Sequence, residues 1–270
     1  MPKTLIPRTK TKVSAGLARL LSDDPAQLLL HAVEAAQADA PSSKLRRVLR
    51  QIKARKNTPG WIHASDTLYS CDRVLAARLL GYRLPRKPPD AKLWRIFENG
   101  TYMHLRWQNV FMSLPAPFEV EVAKVLRRWP IVGEADVAVR HPKLGSWLIE
   151  LKSMNTAQFR MRKEPTLDHA EQVNLYVGLA GGEWDGQVWY EDKNTQEPKA
   201  YVSHFRRTAY ALVVERVLGL VEDVLRGKLP RPCGECEYDE MVGELKWDDR
   251  RLERMEKERA EWQETKLTLP

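Results

Sequence analysis

The sequence predicts an α/β fold: a central mixed sheet flanked by helices, with an N-terminal helical arm. Two observations carry the class. Apolar residues recur at helical spacing before residue 113 and again over 167–180 and 208–225, whereas 118–154 and 187–205 hold short alternating or apolar runs broken by turns. At 270 residues and 43% apolar composition, the chain can bury one substantial core with appendages or two modest domains. No run approaches the roughly 18 uninterrupted apolar residues of a membrane span, so a soluble protein with no membrane partner is expected.

Taken in order, the first twelve residues are basic and proline-interrupted, with no acid before Asp23. A mitochondrial targeting segment can look like this, but Pro2 and Pro7 break an amphipathic helix there, so that reading is the less favoured. Leu17, Leu20 and Leu21, then Leu28, Leu29, Leu30 and Val33, follow helical spacing, and Pro25 suits a new helix start. A basic helix over 44–56 ends near Pro59-Gly60. Ser65 reads as the N-cap of a helix over 66–80 that Gly81 stops. Pro85, Pro88 and Pro89 mark a loop before a longer helix over 91–113, which contains His104.

Strands follow over 118–126, 131–140 and 146–154, predicting a three-stranded antiparallel meander. A helix over 167–180 places Gln172 and Tyr176 on one face, four residues apart. Strands over 187–191 and 200–205 flank the polar turn at 192–195, and a helix over 208–225 closes the compact part at Gly227. Residues 246–266 are dense in both charges and predict an exposed helix laced by i,i+4 pairs.

The formal charge is +8 and the pI about 9.4, which makes a polyanionic partner plausible. Residues 1–56 hold twelve basic against four acidic residues, an excess of eight that equals the net charge of the whole chain. The arm therefore either contacts nucleic acid or forms a solvated basic surface. Three cysteines, an odd number, argue against a disulfide framework and for a reducing compartment.

The chemistry concentrates at 133–155. Alternation points Glu150 and Lys152 to one strand face, where Asp136 can meet them across a hairpin. Two carboxylates and an ammonium would hold a divalent metal and activate a water against a phosphodiester. Such residues are also common on the solvent face of an antiparallel strand, so the spacing alone leaves both readings open.

Gly133-x-x-Asp136, Glu150-x-Lys152 and Gln172-x-x-x-Tyr176, with Gly100-Thr101-Tyr102-Met103-His104 on a preceding helix, resemble the PD-(D/E)XK nuclease superfamily in its RecB-like branch. That branch includes nuclease domains of bacterial recombination enzymes, CRISPR adaptation nucleases and mitochondrial genome maintenance exonucleases. The ordered motifs span residues 65 to 226. The resemblance implies a restriction-endonuclease-like core. It also implies that Asp136, Glu150, His104 and the backbone carbonyl of Leu151 ligate Mg²⁺ or Mn²⁺, an oxygen-rich set in which the histidine leans toward Mn²⁺. Lys152 would orient and help deprotonate the attacking water, and Gln172 and Tyr176 would position the scissile strand or the lysine.

Several family members bind an iron-sulfur cluster through one cysteine before the histidine and three after the last helix. Cys71 and Cys233-x-x-Cys236 occupy those places, but there is no fourth cysteine, which disfavours a four-thiolate cluster. A decayed site, a site completed by a non-cysteine ligand and a zinc site of three cysteines plus another donor stay open.

Trp61, Tyr69, Tyr82, Trp94, Trp107 and Trp129 are candidates for stacking on unpaired bases. No helix-turn-helix or zinc-finger spacing suggests sequence-specific duplex reading, so salt-sensitive backbone binding is expected. The whole reads as a basic N-terminal helical arm (1–60), a nuclease core (61–230), and a Cys pair with a charged C-terminal helix (231–270). The expected function is a metal-dependent DNA nuclease, favouring an exonuclease on single-stranded or end-containing DNA in recombination, repair or phage replication, in the cytoplasm of a bacterial or phage-infected cell. The arm or the C-terminal helix would serve any protein partner. A CRISPR-adaptation-like trimming nuclease and a non-catalytic DNA-binding or assembly module are the alternatives.

Overall fold

The computed structural model describes residues 27, 29–33, 60–82, 84, 90–236, 238, 242 and 249–267. Apart from residues 27 and 29–33, which are helical, and Gly60, the predicted N-terminal arm (1–60) lies outside the described residues. Among the described residues, six strands form one sheet: β1 (Ile62–His63), β2 (Glu119–Arg128), β3 (Ile131–His141), β4 (Gly145–Met154), β5 (Asp185–Asp192) and β6 (Pro198–Ser203). Strands β2, β3 and β4 make the predicted antiparallel meander. The sheet is mixed, because β1 runs parallel to β3 and β4 parallel to β5, while β5 and β6 are antiparallel.

Strand β2 pairs with β3 along most of its length, so β1 and β4 must share the opposite edge of β3. On that edge β1 takes Ile131 and Val132, and β4 takes Val137 to His141. Residues 133–136 of β3 lie between these two neighbours. Asp136 is the last residue of that interval.

Among the described residues, besides the helical stretch at 29–33, the helices are α1 (Ala64–Tyr69), α2 (Asp72–Leu79), α3 (Ala91–Phe111), α4 (Thr156–Met161), α5 (Leu167–Leu179), α6 (Arg207–Leu225) and α7 (Asp249–Leu267). They cover both faces of the sheet. Leu148, Val188 and Tyr190 pack with residues of α2, α5, α6 and α7, whereas Trp147, Ile149, Leu151 and Trp189 pack with α3 and with Leu29, Leu30 and Val33. Strand alternation thus feeds two cores, and the predicted α/β architecture follows.

Three elements differ from the sequence reading. The single helix expected over 66–80 is two, because Ser70 and Cys71 adopt extended backbone. Arg216 from α6 supports the break, reaching the carbonyls of Thr67 and Ser70 and the carboxylate of Asp72. Ser65 lies inside α1 rather than capping it, and His63 holds the N-cap position without a side-chain cap bond. Strand β1 and helix α4 were not predicted, being two and six residues long, too short to declare a period.

Helix α7 is also not a freely exposed helix. It carries the i,i+4 pairs Arg254–Glu258 and Lys257–Glu261. Yet Met255 is completely buried, and Leu252 and Trp262 pack on the same core, with Trp262 6.0 Å from the Trp129 ring. Spacings of three and seven put these residues on one stripe, which a mostly charged sequence conceals.

Candidate functional site

The site lies where β3 and β4 part. Their last paired position is Val137 with Ile149, and the same register brings Asp136 opposite Glu150 one step further on. On the other edge of β3, pairing with β2 holds at Val122–Val137 and Lys124–Ala135 but skips Ala123 and Asp136. Ala123 there has φ 52°, in the left-handed region that a residue with a Cβ rarely adopts. Ile131 and Ala135 pack in one core and Val137 and Val139 in the other, so the pleat also changes face at Asp136.

Side chains take over from the ladder at this irregularity. Gln108 Nε2 of α3 donates to the carbonyl of Asp136 at 3.1 Å, and the N–H of Leu151 donates to Asp136 Oδ2 at 2.8 Å. Asp136 Oδ1 is 3.0 Å from His104 Nδ1, one turn before Gln108 on the same helix. Lys152 Nζ lies 2.5 Å from Glu150 Oε1. Glu150 is 3% exposed, and its Oε2 is buried with no hydrogen-bond partner among the described residues.

The electrostatics follow from crowding two carboxylates into a buried place. Burial, then the neighbouring Asp136 carboxylate, push the Glu150 carboxyl up to about 7, although Lys152 opposes them. Burial would raise Asp136 as well, but His104 and the Leu151 N–H outweigh it and hold that carboxyl below its ordinary range. For His104, burial works toward the neutral ring, and the Asp136 carboxylate overcomes it to favour the cation. Lys152 is likewise held as an ammonium by Glu150 and Asp136 against burial.

By donor type this set suits a hard divalent cation, although the ligand atoms of His104, Asp136 and Glu150 do not draw together as closely as those of a closed metal cage. Two carboxylates, one imidazole and the carbonyl of Leu151 are an oxygen-rich set, and the unpartnered Glu150 Oε2 is an acceptor that a cation would satisfy. His104 and Asp136 bond each other, as do Glu150 and Lys152, so a bound cation would replace those pairs.

Gln172 and Tyr176 are both buried on α5, and Gln172 Nε2 donates to the Tyr176 hydroxyl at 2.7 Å. The Tyr176 ring packs on Gly133, where an added Cβ would sit 2.8 Å from Cδ1. That contact accounts for the glycine three residues before Asp136. Burial keeps this pair from touching a nucleic acid strand directly, and its place is beneath β3.

Three residues near the site escaped the sequence reading. Gln108 was findable, being four residues after His104 on a helix. Tyr190 stands beside Lys152 in the parallel β4–β5 ladder, and its hydroxyl is 2.8 Å from His169 Nδ1. Burial, then the Lys152 charge, pull His169 down to about 4. No local pattern reports such a pairing, because parallel register is set by a crossover.

No family model matches the chain, and no curated protein matches it. Among solved structures it is similar to SSO0001, at 18% identity and a TM-score of 0.40 over 78% of this chain and 94% of that one. It is also similar to the alkaline exonuclease LHK-Exo from Laribacter hongkongensis, at 15% identity and a TM-score of 0.46 over 62% of this chain and 89% of that one. The complex of LHK-Exo with dAMP gives the same values. All three overlaps are loose.

Of the aromatic candidates, Trp107 and Trp129 are buried core residues and Trp61 and Tyr82 are half-buried. The Trp94 side chain lies outside the described ones. Tyr69 stands mostly exposed, at 58%, and feels the charges of Lys152 and Glu150. The three cysteines converge: Cys71 Sγ is 3.6 Å from Cys236 Sγ, and all three sulfurs lie within 4.8 Å of one another. Among the described residues, no other group of three or more His, Cys, Asp or Glu gathers so tightly.

Proposed function

We propose that the protein is a metal-dependent DNA nuclease of the restriction-endonuclease-like type, an exonuclease acting on single-stranded or end-containing DNA in recombination, repair or phage replication. The observation that carries this reading is the meeting of Asp136 and Glu150 at the parting of two strands, with Lys152 on one carboxylate and His104 on the other. Asp136, Glu150, His104 and the Leu151 carbonyl would hold Mg²⁺ or Mn²⁺. When bound, the cation would polarise the phosphodiester and make a water nucleophilic at neutral pH.

The chain's own residues do the rest. Lys152, kept as an ammonium, orients the attacking water and stabilises the charge that grows on the phosphate oxygens. Gln108 and the Leu151 N–H fix the Asp136 carboxylate, and Gln172 with Tyr176 holds β3 from below. Tyr69, exposed at the rim, would stack on an unpaired base. The basic residues at 1–56 would add contacts to the phosphate backbone, and the cytoplasm of a bacterial or phage-infected cell would supply the substrate.

End-labelled linear and closed circular single-stranded DNA, incubated with Mg²⁺ or Mn²⁺, test the reading. The linear strand is expected to shorten and the circle to survive. Glu150→Ala and Lys152→Ala are expected to abolish cleavage while retaining the wild-type circular dichroism spectrum. Full activity in both variants overturns the site, and loss of the circle overturns strict exonuclease action.

A further inference from the structure

Cys71 lies in the extended break between α1 and α2, while Cys233 and Cys236 come from the segment after α6, more than 160 residues later. Their sulfurs nevertheless meet, and the segment is anchored beside them by Arg73, whose Nη1 donates to the carbonyl of Pro230 at 2.8 Å. Gly234, between the two later cysteines, takes φ 76°, which a side chain would strain, and the resulting turn aims the N–H groups of Glu235 and Cys236 at Cys233 Sγ. A turn whose amide groups converge on a sulfur favours thiolate over thiol.

Sulfur spacing selects among possible occupants. A tetrahedral ion with metal–sulfur bonds of about 2.3 Å sets its sulfurs about 3.8 Å apart. The Cys71–Cys236 separation of 3.6 Å and the 4.8 Å limit on the set match a single ion. A polynuclear iron-sulfur cluster seats its thiolates on different irons and spaces them more widely, and a disulfide needs direct sulfur bonding between only two of the three.

We propose that Cys71, Cys233 and Cys236 bind one Zn²⁺ as thiolates, with a non-thiolate donor in fourth place, and that this ion staples the segment after α6 to the α1–α2 junction. Three thiols lose their protons to solvent as the ion binds, so no oxidant or reductant enters. One anchor of the staple, Cys71, lies two residues after Tyr69, at the rim of the candidate active site, yet the proposal stands whether or not that site cleaves DNA.

The test uses the untagged full chain, purified under reducing conditions. Elemental analysis is expected to give one zinc per chain, with negligible iron and acid-labile sulfide. Replacement by Co²⁺ is expected to give the sulfur-to-cobalt charge-transfer absorption of three thiolates and the intense visible bands of a tetrahedral ion. Cys71→Ser and Cys236→Ser should each lower zinc retention through dialysis against a chelator by at least about tenfold. Should either variant fail to fold, the zinc content and cobalt spectrum of the wild type decide. Substoichiometric zinc with three freely titrating thiols, iron with sulfide, or a Cys71–Cys236 disulfide each overturns the proposal.

Discussion

Asp136 stands opposite Glu150 one step beyond the last paired position of β3 and β4, and it takes the N–H of Leu151 rather than the Glu150 backbone as its partner. The two carboxylates are therefore held together by the fold and not by each other. Such proximity is costly without a counter-charge, and the cost depends on pH.

Glu150 has its folded pKa raised to about 7 from an ordinary 4.5, so in metal-free protein the folded state binds more protons between those values. The stability tied to this group is full below about 4.5 and is lost as pH rises through 7. Glu150→Gln removes that slope. Melting temperatures measured in EDTA should show the variant gaining on the wild type from pH 5 to pH 8, and a constant difference would contradict the raised pKa.

Mn²⁺ should raise the melting temperature of the wild type through its preference for the folded state. Asp136→Asn and Glu150→Gln should lose most of that increment, whereas Tyr69→Ala should keep it. Calorimetric titration of the same proteins gives the binding directly.

Gly133→Ala drives a Cβ into the Tyr176 ring, which is buried and cannot swing into solvent. A destabilisation of about 1–3 kcal/mol is expected from urea unfolding. Tyr176→Phe, which removes the hydroxyl that accepts from Gln172, should cost about 1 kcal/mol. If both changes are silent, the support of β3 by α5 has been misjudged.

His169 gives an acid limb. Its folded pKa of about 4 lies below the ordinary 6.5, so its contribution is full above 6.5 and is lost as pH falls toward 4. His169→Asn should flatten the loss of stability over that window, read by thermal melts at half-unit intervals of pH.

The residues of the site were legible because strand alternation and a short hairpin are local signals. Asp136, Glu150 and Lys152 needed only a period of two and one turn, and the structure places them together as that pattern requires. The kink at Ala123 was hidden, since nothing in Glu119-Val120-Glu121-Val122-Ala123 announces a left-handed residue. Tertiary partners hid other features. Arg216 props the break between α1 and α2 from 144 residues away, and Tyr190 meets Lys152 through a parallel crossover. The convergence of Cys71 with Cys233 and Cys236 was equally beyond periodicity, being set by how α6 returns to α2.

The burial of Met255, on the inner face of α7, bears on how the protein can be divided. A chain cut after residue 230 would keep every residue of the candidate active site yet strip the cover from Trp129 and from the Ile62 end of the sheet. Such a fragment is expected to be sticky and prone to aggregate, and expressing the two pieces together should restore solubility if the helix rejoins its seat. The charged tail is in this sense a lid on the core, and it travels with the domain it closes.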